Sequence, residues 1–272
     1  MKTSKVIEVL RALTVMVGVI VLYIGSMYAV SLFWGMGFVS KTGLSPDSAG
    51  FDEAYTEAFN RDSGYINIIF SGVCLLLAAV AFKLRGKTLS RAANICSAPP
   101  LKIAAAFTGG LAAQLPLGFA VSLLPFSEEI IRGHEELMNY STTPFLVQVL
   151  YTVILAPIIE EIFFRGIGHD RLARAVPPVL AAIISSAAFA VIHMEPLAIL
   201  AAFVSGLILS LLYNRYKTVI VPIAFHMGFN IFAYIVPYLK TAMAQYIAVG
   251  ISTAVFAVSL AILLSGRSSP KK

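Results

Sequence analysis

The 272-residue chain is 58% hydrophobic and 12% charged, with a mean hydropathy of +0.85. A soluble domain of this length carries about 25% charged residues, so the composition excludes one and points to an integral membrane protein. The net charge of +6 does not indicate nucleic-acid binding, because the basic residues lie between apolar stretches, as membrane topology requires. Cys74 and Cys96 show neither metal-ligand spacing nor a disulfide framework.

A bilayer-crossing helix needs about 20 mostly apolar residues. In chain order the sequence predicts eight spans, near 12–36, 65–83, 103–126, 144–164, 178–194, 196–213, 218–238 and 241–264. The first is long and lacks a small-residue cleavage pattern, so it does not read as a removable signal. The expected fold class is an all-α polytopic membrane protein, a single integral membrane domain over 1–272, multi-pass in the cell membrane. Orientation follows from charge. Segments 1–11, 83–102, 165–174, 215–217 and 267–272 carry sixteen Lys and Arg residues, whereas the alternate segments carry four, Lys41, Arg61, Arg132 and Lys240. The positive-inside rule then predicts that both termini are cytoplasmic. Two acidic connections, 40–64 and 127–143, are expected outside as solvated loops or surface-lying helices. His134 and His169 are expected in solvated loops, and Glu195 at the interface.

Three short patterns lie on the fourth, fifth and seventh spans: Glu160-Glu161-Ile-Phe-Phe-Arg165, Phe189-Ala-Val-Ile-His193 and His226-Met-Gly-Phe-Asn230. Ionisable groups inside apolar spans are costly and mark functional sites by default. On a helix, residues i and i+4 share a face while adjacent residues point about 100° apart. Arg165 can therefore pair with Glu161, which leaves Glu160 free for chemistry. Phe189 can pack beside His193, and His226 and Asn230 project together. Pro157, one turn before the carboxylates, removes a backbone donor and can open the helix there. At about 1.5 Å per residue, Glu160 would lie only about 8 Å deep if the fourth span ended at Arg165. His193, His226 and Asn230 come out about 22, 12 and 18 Å deep. The depths agree better if the fourth span continues through Gly166-Ile-Gly168 towards Arg171, with Arg165 buried against Glu161.

A single intramembrane His or Glu–Arg pair often serves as interhelical glue. Six such residues at three helical spacings, with few ionisable groups in the other spans, point instead to one chemical site. The EExxxR, FxxxH and HxxxN patterns, in this order, resemble the CPBP family of intramembrane proteases. That family includes CAAX prenyl endopeptidases of the Rce type and bacterial homologues linked to bacteriocin processing and self-immunity. The resemblance covers a motif-bearing core over 144–235. It implies that Glu160 and His193 activate a water molecule, that His226 and Asn230 stabilise the tetrahedral oxyanion, and that Glu161, Arg165 and Phe189 support them. It implies as substrate a peptide or membrane-protein segment, with or without an attached lipid. Glu160, His193 and His226 would also make a His2Glu zinc set, although HExxH is lacking; the resemblance, to a family whose structurally studied members look like metal-independent glutamic proteases, implies the metal-free version over the zinc one. The alternatives are a proton-coupled transporter, since buried Glu, His and Arg also build proton relays, and a non-catalytic scaffold or immunity factor.

Overall fold

The computed structural model describes residues 4–139 and 142–266, and all regular structure among them is helical. Helix α1 (Lys5–Thr42) begins where the Ser4 hydroxyl accepts the Ile7 N–H and ends at Gly43, whose φ of +70° suits a glycine. There follow α2 (Phe51–Lys83), α3 (Pro100–Ser122), the amphipathic α4 (Glu128–Asn139) and the long α5 (Phe145–Ala175). The last four are α6 (Pro178–Val191), α7 (Pro196–Tyr216), α8 (Ile220–Phe232) and α9 (Ala242–Leu264). Six of these, α1, α2, α3, α5, α7 and α9, are long and apolar enough to cross a membrane. The chain is an all-α, multi-pass membrane protein. The two remaining apolar helices, α6 and α8, have 14 and 13 residues.

Several expectations need correction. The connection 40–64 is largely helical, because α2 starts at Phe51. Phe51, Tyr55 and Phe59 stack one turn apart there and meet Trp34 and Phe38 of α1 edge-on. The fifth span ends early, at Val191. Met194 takes a left-handed conformation and Glu195, before Pro196, is extended. The chain reverses there, and His193 sits in the turn rather than inside a helix. Likewise α8 stops at Phe232, with a tighter turn at Val236–Tyr238. Segment 127–143 contains α4; its Tyr140 and Ser141 lie outside the described residues, as do Lys2, Arg267, Lys271 and Lys272 of the charge count.

His169 is neither in a loop nor solvated. Helix α5 runs on through Gly166 and Gly168, so His169 turns inwards and is fully buried. Its two ring nitrogens lie 2.9 Å from the Ser185 hydroxyl and 2.9 Å from Asn214 Oδ1. His134, on α4, lies 2.9 Å from the carboxylate of Glu195. Glu195 in turn caps α7, accepting the N–H groups of Leu197 and Ala198.

Two apolar cores position the site. One joins α1, α2, α5 and α6 through residues such as Tyr23, Phe70, Phe163 and Phe189. The other joins α3, α7, α8 and α9 around Leu209, Phe225 and Leu263. Helices α3 and α8 cross without side chains between them. A Cβ at Gly228 would fall 2.0 Å from the Phe107 carbonyl oxygen, and one at Gly110 only 1.8 Å from that of Phe225. Only glycine allows backbones this close.

Candidate active site

Helix α5 supplies the carboxylates, and its winding determines where they point. Two stretches, Leu150–Leu155 and Glu161–His169, are π-helical: the Ala156 N–H bonds to the Tyr151 carbonyl and the Asp170 N–H to that of Arg165. Pro157 lies between the two widened stretches, and such turns commonly mark functional sites. On a regular α-helix Glu160 and Glu161 would diverge by about 100°. Here both reach the same imidazole. His226 Nδ1 lies 3.0 Å from Glu161 Oε1, and its Nε2 lies 3.7 Å from Glu160 Oε2. The two contacts are unequal: His226 hydrogen-bonds Glu161 and only faces Glu160 at longer range, so the adjacent carboxylates do not meet one target squarely, as their spacing predicts.

The Glu161–Arg165 pair forms as its spacing predicts. Arg165 Nη1 donates to Glu161 Oε1 at 2.9 Å, and both side chains are completely buried. A second guanidinium nitrogen donates to the Gly206 carbonyl at 3.2 Å, and the Phe189 ring lies under the guanidinium at 4.3 Å. Glu161 Oε1 thus holds Arg165 and His226 together, while Glu161 Oε2 and Arg165 Nε have no hydrogen-bond partner among the described residues. Gly206 is tight by necessity: a Cβ there would meet Arg165 Nη2 and Ser186 Cβ at 3.1 Å. Glu160 is held from the other side by Tyr23, whose hydroxyl donates to Oε1 at 3.0 Å.

The histidine tautomers follow from their acceptors. His193 Nδ1 lies 3.0 Å from the Phe189 carbonyl, which can only accept, so Nδ1 carries the proton and a neutral ring leaves Nε2 as a base. By the same reasoning His226 Nδ1 donates to Glu161, and its Nε2 faces Glu160. The Phe189 ring separates the imidazoles, with centroids 4.9 Å from His193 and 5.8 Å from His226. Asn230 Nδ2 donates to the Thr152 carbonyl at 2.9 Å, beside the first π-helical stretch. His193, His226 and Asn230 all line a cavity of about 520 Å³ whose other walls include Phe229, Ser205 and His134.

The structure therefore brings Glu160, Glu161, Arg165, Phe189 and His226 into one buried cluster and sets His193 and Asn230 on the adjoining cavity wall. No hydrogen bond or ion pair joins Glu160 to His193 among the described residues. Nor do three His, Cys, Asp or Glu side chains gather closely enough to hold one metal ion there, so the Glu160, His193 and His226 donors do not form a zinc-like set as placed. Sequence reading missed Tyr23, which lies 137 positions from its partner Glu160. It also missed the carbonyls of Gly206 and Thr152, which carry no sequence signal. Gly228 lay inside the third motif and could have been read as a close-contact position.

Buried carboxylates, an arginine and two histidines thus gather beside a cavity in an all-α, multi-pass membrane protein. Residues 142–232, about a third of the chain, match the family described as Type II CAAX prenyl endopeptidase Rce1-like. This matching segment holds all three motifs. Among curated proteins it is similar to "Putative membrane peptidase YdiL" of Bacillus subtilis (strain 168), 33% identical over 89 residues, which are 33% of this chain and 36% of the relative. The chain thus matches little more than a third of that relative's length. No solved structure matches it.

Proposed function

We propose that the chain is an intramembrane endopeptidase of the CAAX-protease type, working without a metal. The supporting observation is the placement of His226, fixed through Nδ1 by the Glu161–Arg165 pair with Nε2 turned to Glu160 at a cavity wall. Glu160 and His193 Nε2 are the available bases. One takes a proton from a water molecule as its oxygen adds to the scissile carbonyl. Because Nδ1–H is held by Glu161, His226 donates to the developing oxyanion only as the doubly protonated imidazolium, through Nε2–H, alongside the second N–H of Asn230; such a donor is worth roughly 3–4 kcal/mol in a dry site. Collapse breaks the C–N bond, and the abstracted proton passes to the leaving amine. Every step uses a buried or cavity-facing group of this chain.

The cavity lies at the end of the molecule away from the basic segments. Glu195 and Lys217 bracket α7, and its 21 residues put about 30 Å between them. If the basic end is cytoplasmic, as the charge bias favours, the cavity opens on the outer side or into the outer leaflet. The substrate would then be a peptide or membrane-protein segment presented there.

The test compares protein termini in host membranes carrying the wild-type chain or Glu160→Gln at matched levels. Gln keeps an acceptor for Tyr23 and removes the base. New termini confined to the wild type would establish proteolysis and name the bond. Identical termini under several growth conditions would overturn the reading in favour of transport, to be measured as flux across reconstituted vesicles.

A further inference from the structure

On the basic side of the cluster around Glu160, a cleft of about 570 Å³ opens between α1, the last turns of α2 and α5, its inner wall reaching Leu22 and Phe163, within a turn of Tyr23 and Glu160. Its rim carries Arg85, Lys87, Arg91, Arg171 and Arg174 against a single carboxylate, Asp170. That carboxylate is already engaged, bonded to Arg174 and accepting the Tyr213 hydroxyl at 3.0 Å. The other four cations are exposed and form no ion pair among the described residues. Behind the rim the wall is apolar, formed by Val19, Leu22, Phe82 and Phe163. Gly18 keeps the groove open, since a Cβ there would meet nothing within 4 Å.

A free anion has no use for the apolar wall, and an apolar molecule has no use for four unneutralised cations. An amphiphile with an anionic head satisfies both. The rim lies just beyond the end of α2 and in the last turns of α5, where apolar spans give way to basic residues. Basic pockets between membrane helices are established headgroup sites, each nearby cation contributing about 1 kcal/mol. The volume suits a headgroup and the start of a chain, being within the roughly 300–1,000 Å³ of ligand sites. We propose that this cleft binds an acidic phospholipid of the surrounding bilayer. Its phosphate lies against Arg85, Lys87, Arg91 and Arg171, and its upper chain against Val19, Leu22 and Phe82. Such a lipid ties α1 to α5. These helices already meet tightly, because a Cβ at Gly168 would lie 2.6 Å from the Met16 methyl. Tyr23, next to Leu22 on α1, is the residue that holds Glu160.

The test uses the full chain, stripped of lipid in neutral detergent, titrated with phosphatidylglycerol, phosphatidylcholine or inorganic phosphate. Retention is read by native mass spectrometry and stabilisation by thermal unfolding, so neither readout depends on proteolysis. Phosphatidylglycerol is expected to be retained and to raise the unfolding temperature, with little effect of the other two. The Arg85→Gln/Arg91→Gln variant, altered at two exposed positions, should bind it roughly thirtyfold more weakly. Gly18→Leu, which fills the groove and keeps every charge, should also lose it. Lys240→Gln, at the other end of the molecule, should bind as wild type. Equal retention of phosphatidylcholine, equal stabilisation by phosphate alone, or unchanged binding in the double arginine variant would each overturn the proposal.

Discussion

Replacing Gly228 by alanine tests how the third motif is held in place. The new Cβ would lie 2.0 Å from the Phe107 carbonyl oxygen and 2.9 Å from the Leu111 nitrogen, both backbone atoms of α3. Contacts below 3.0 Å essentially never occur for a Cβ, so α8 must retreat from α3 by at least about 1 Å. Two residues earlier, His226 holds Glu161 at 3.0 Å. A shift of about 1 Å stretches that bond beyond hydrogen-bonding range. Alanine improves helix propensity by about 0.5–1 kcal/mol, but overpacking costs about 1–3 kcal/mol, so the protein should be destabilised overall. A displacement of about 1 Å at a reactive group can cost about 100-fold in rate. The assay pairs thermal unfolding in detergent with the yield of wild-type-dependent termini in membranes. Gly110→Ala should behave alike, since its Cβ would sit 1.8 Å from the Phe225 carbonyl oxygen. Gly250→Ala on α9 is the control, with nothing within 4 Å. If Gly228→Ala melts and cleaves like Gly250→Ala, the close crossing of α3 and α8 does not position the site.

Arg165→Ala strands the buried Glu161 carboxylate and should cost about 3–5 kcal/mol, measured as a fall in unfolding temperature or loss of folded protein on size-exclusion chromatography. Tyr23→Phe removes one hydrogen bond to Glu160, so it should cost about 1 kcal/mol in stability while lowering turnover; unchanged turnover would show that Tyr23 does not orient the carboxylate. His226→Ala and Asn230→Ala should lower turnover more than substrate binding if both donors act in the transition state, and equal losses in affinity at unchanged turnover would contradict that role. If the protein is the proposed peptidase, chelator treatment of the purified protein should leave cleavage intact, whereas loss of cleavage restored by zinc would reverse the metal-free reading. Burial alone would raise the pKa of Glu195, but the Leu197 and Ala198 N–H groups, helped by His134, hold it below the ordinary 4.5. Its contribution to stability is therefore full above the unfolded value and is lost as pH falls through the lowered one. Glu195→Gln should flatten the fall in unfolding temperature as pH drops below the ordinary 4.5, relative to wild type.

Much of the architecture follows from the sequence alone, because burial in lipid forces apolar runs into helices. Each predicted span meets a helix, and the extension of the fourth through Gly166 and Gly168 was legible from the depth at which its carboxylates had to lie. The Glu161–Arg165 pair and the Phe189–His193 contact were legible too, since i,i+4 neighbours meet on any helix. The tertiary structure decided what depends on distant segments or on departures from regular winding. Regular spacing turned Glu160 and Glu161 apart, and the packing of α8 against α5 decides that His226 bonds Glu161 and faces Glu160 at longer range. Helical continuity put His193 inside a span, whereas the backbone of Met194 and Glu195 turns it onto a cavity wall. His169 looked like a loop residue until its helix carried it into the interior. Tyr23 had no local signal, because a hydrogen bond across 137 residues arises from helix packing. Sequence periodicity fixes which side chains share a helix face, while the crossing of helices decides what that face meets.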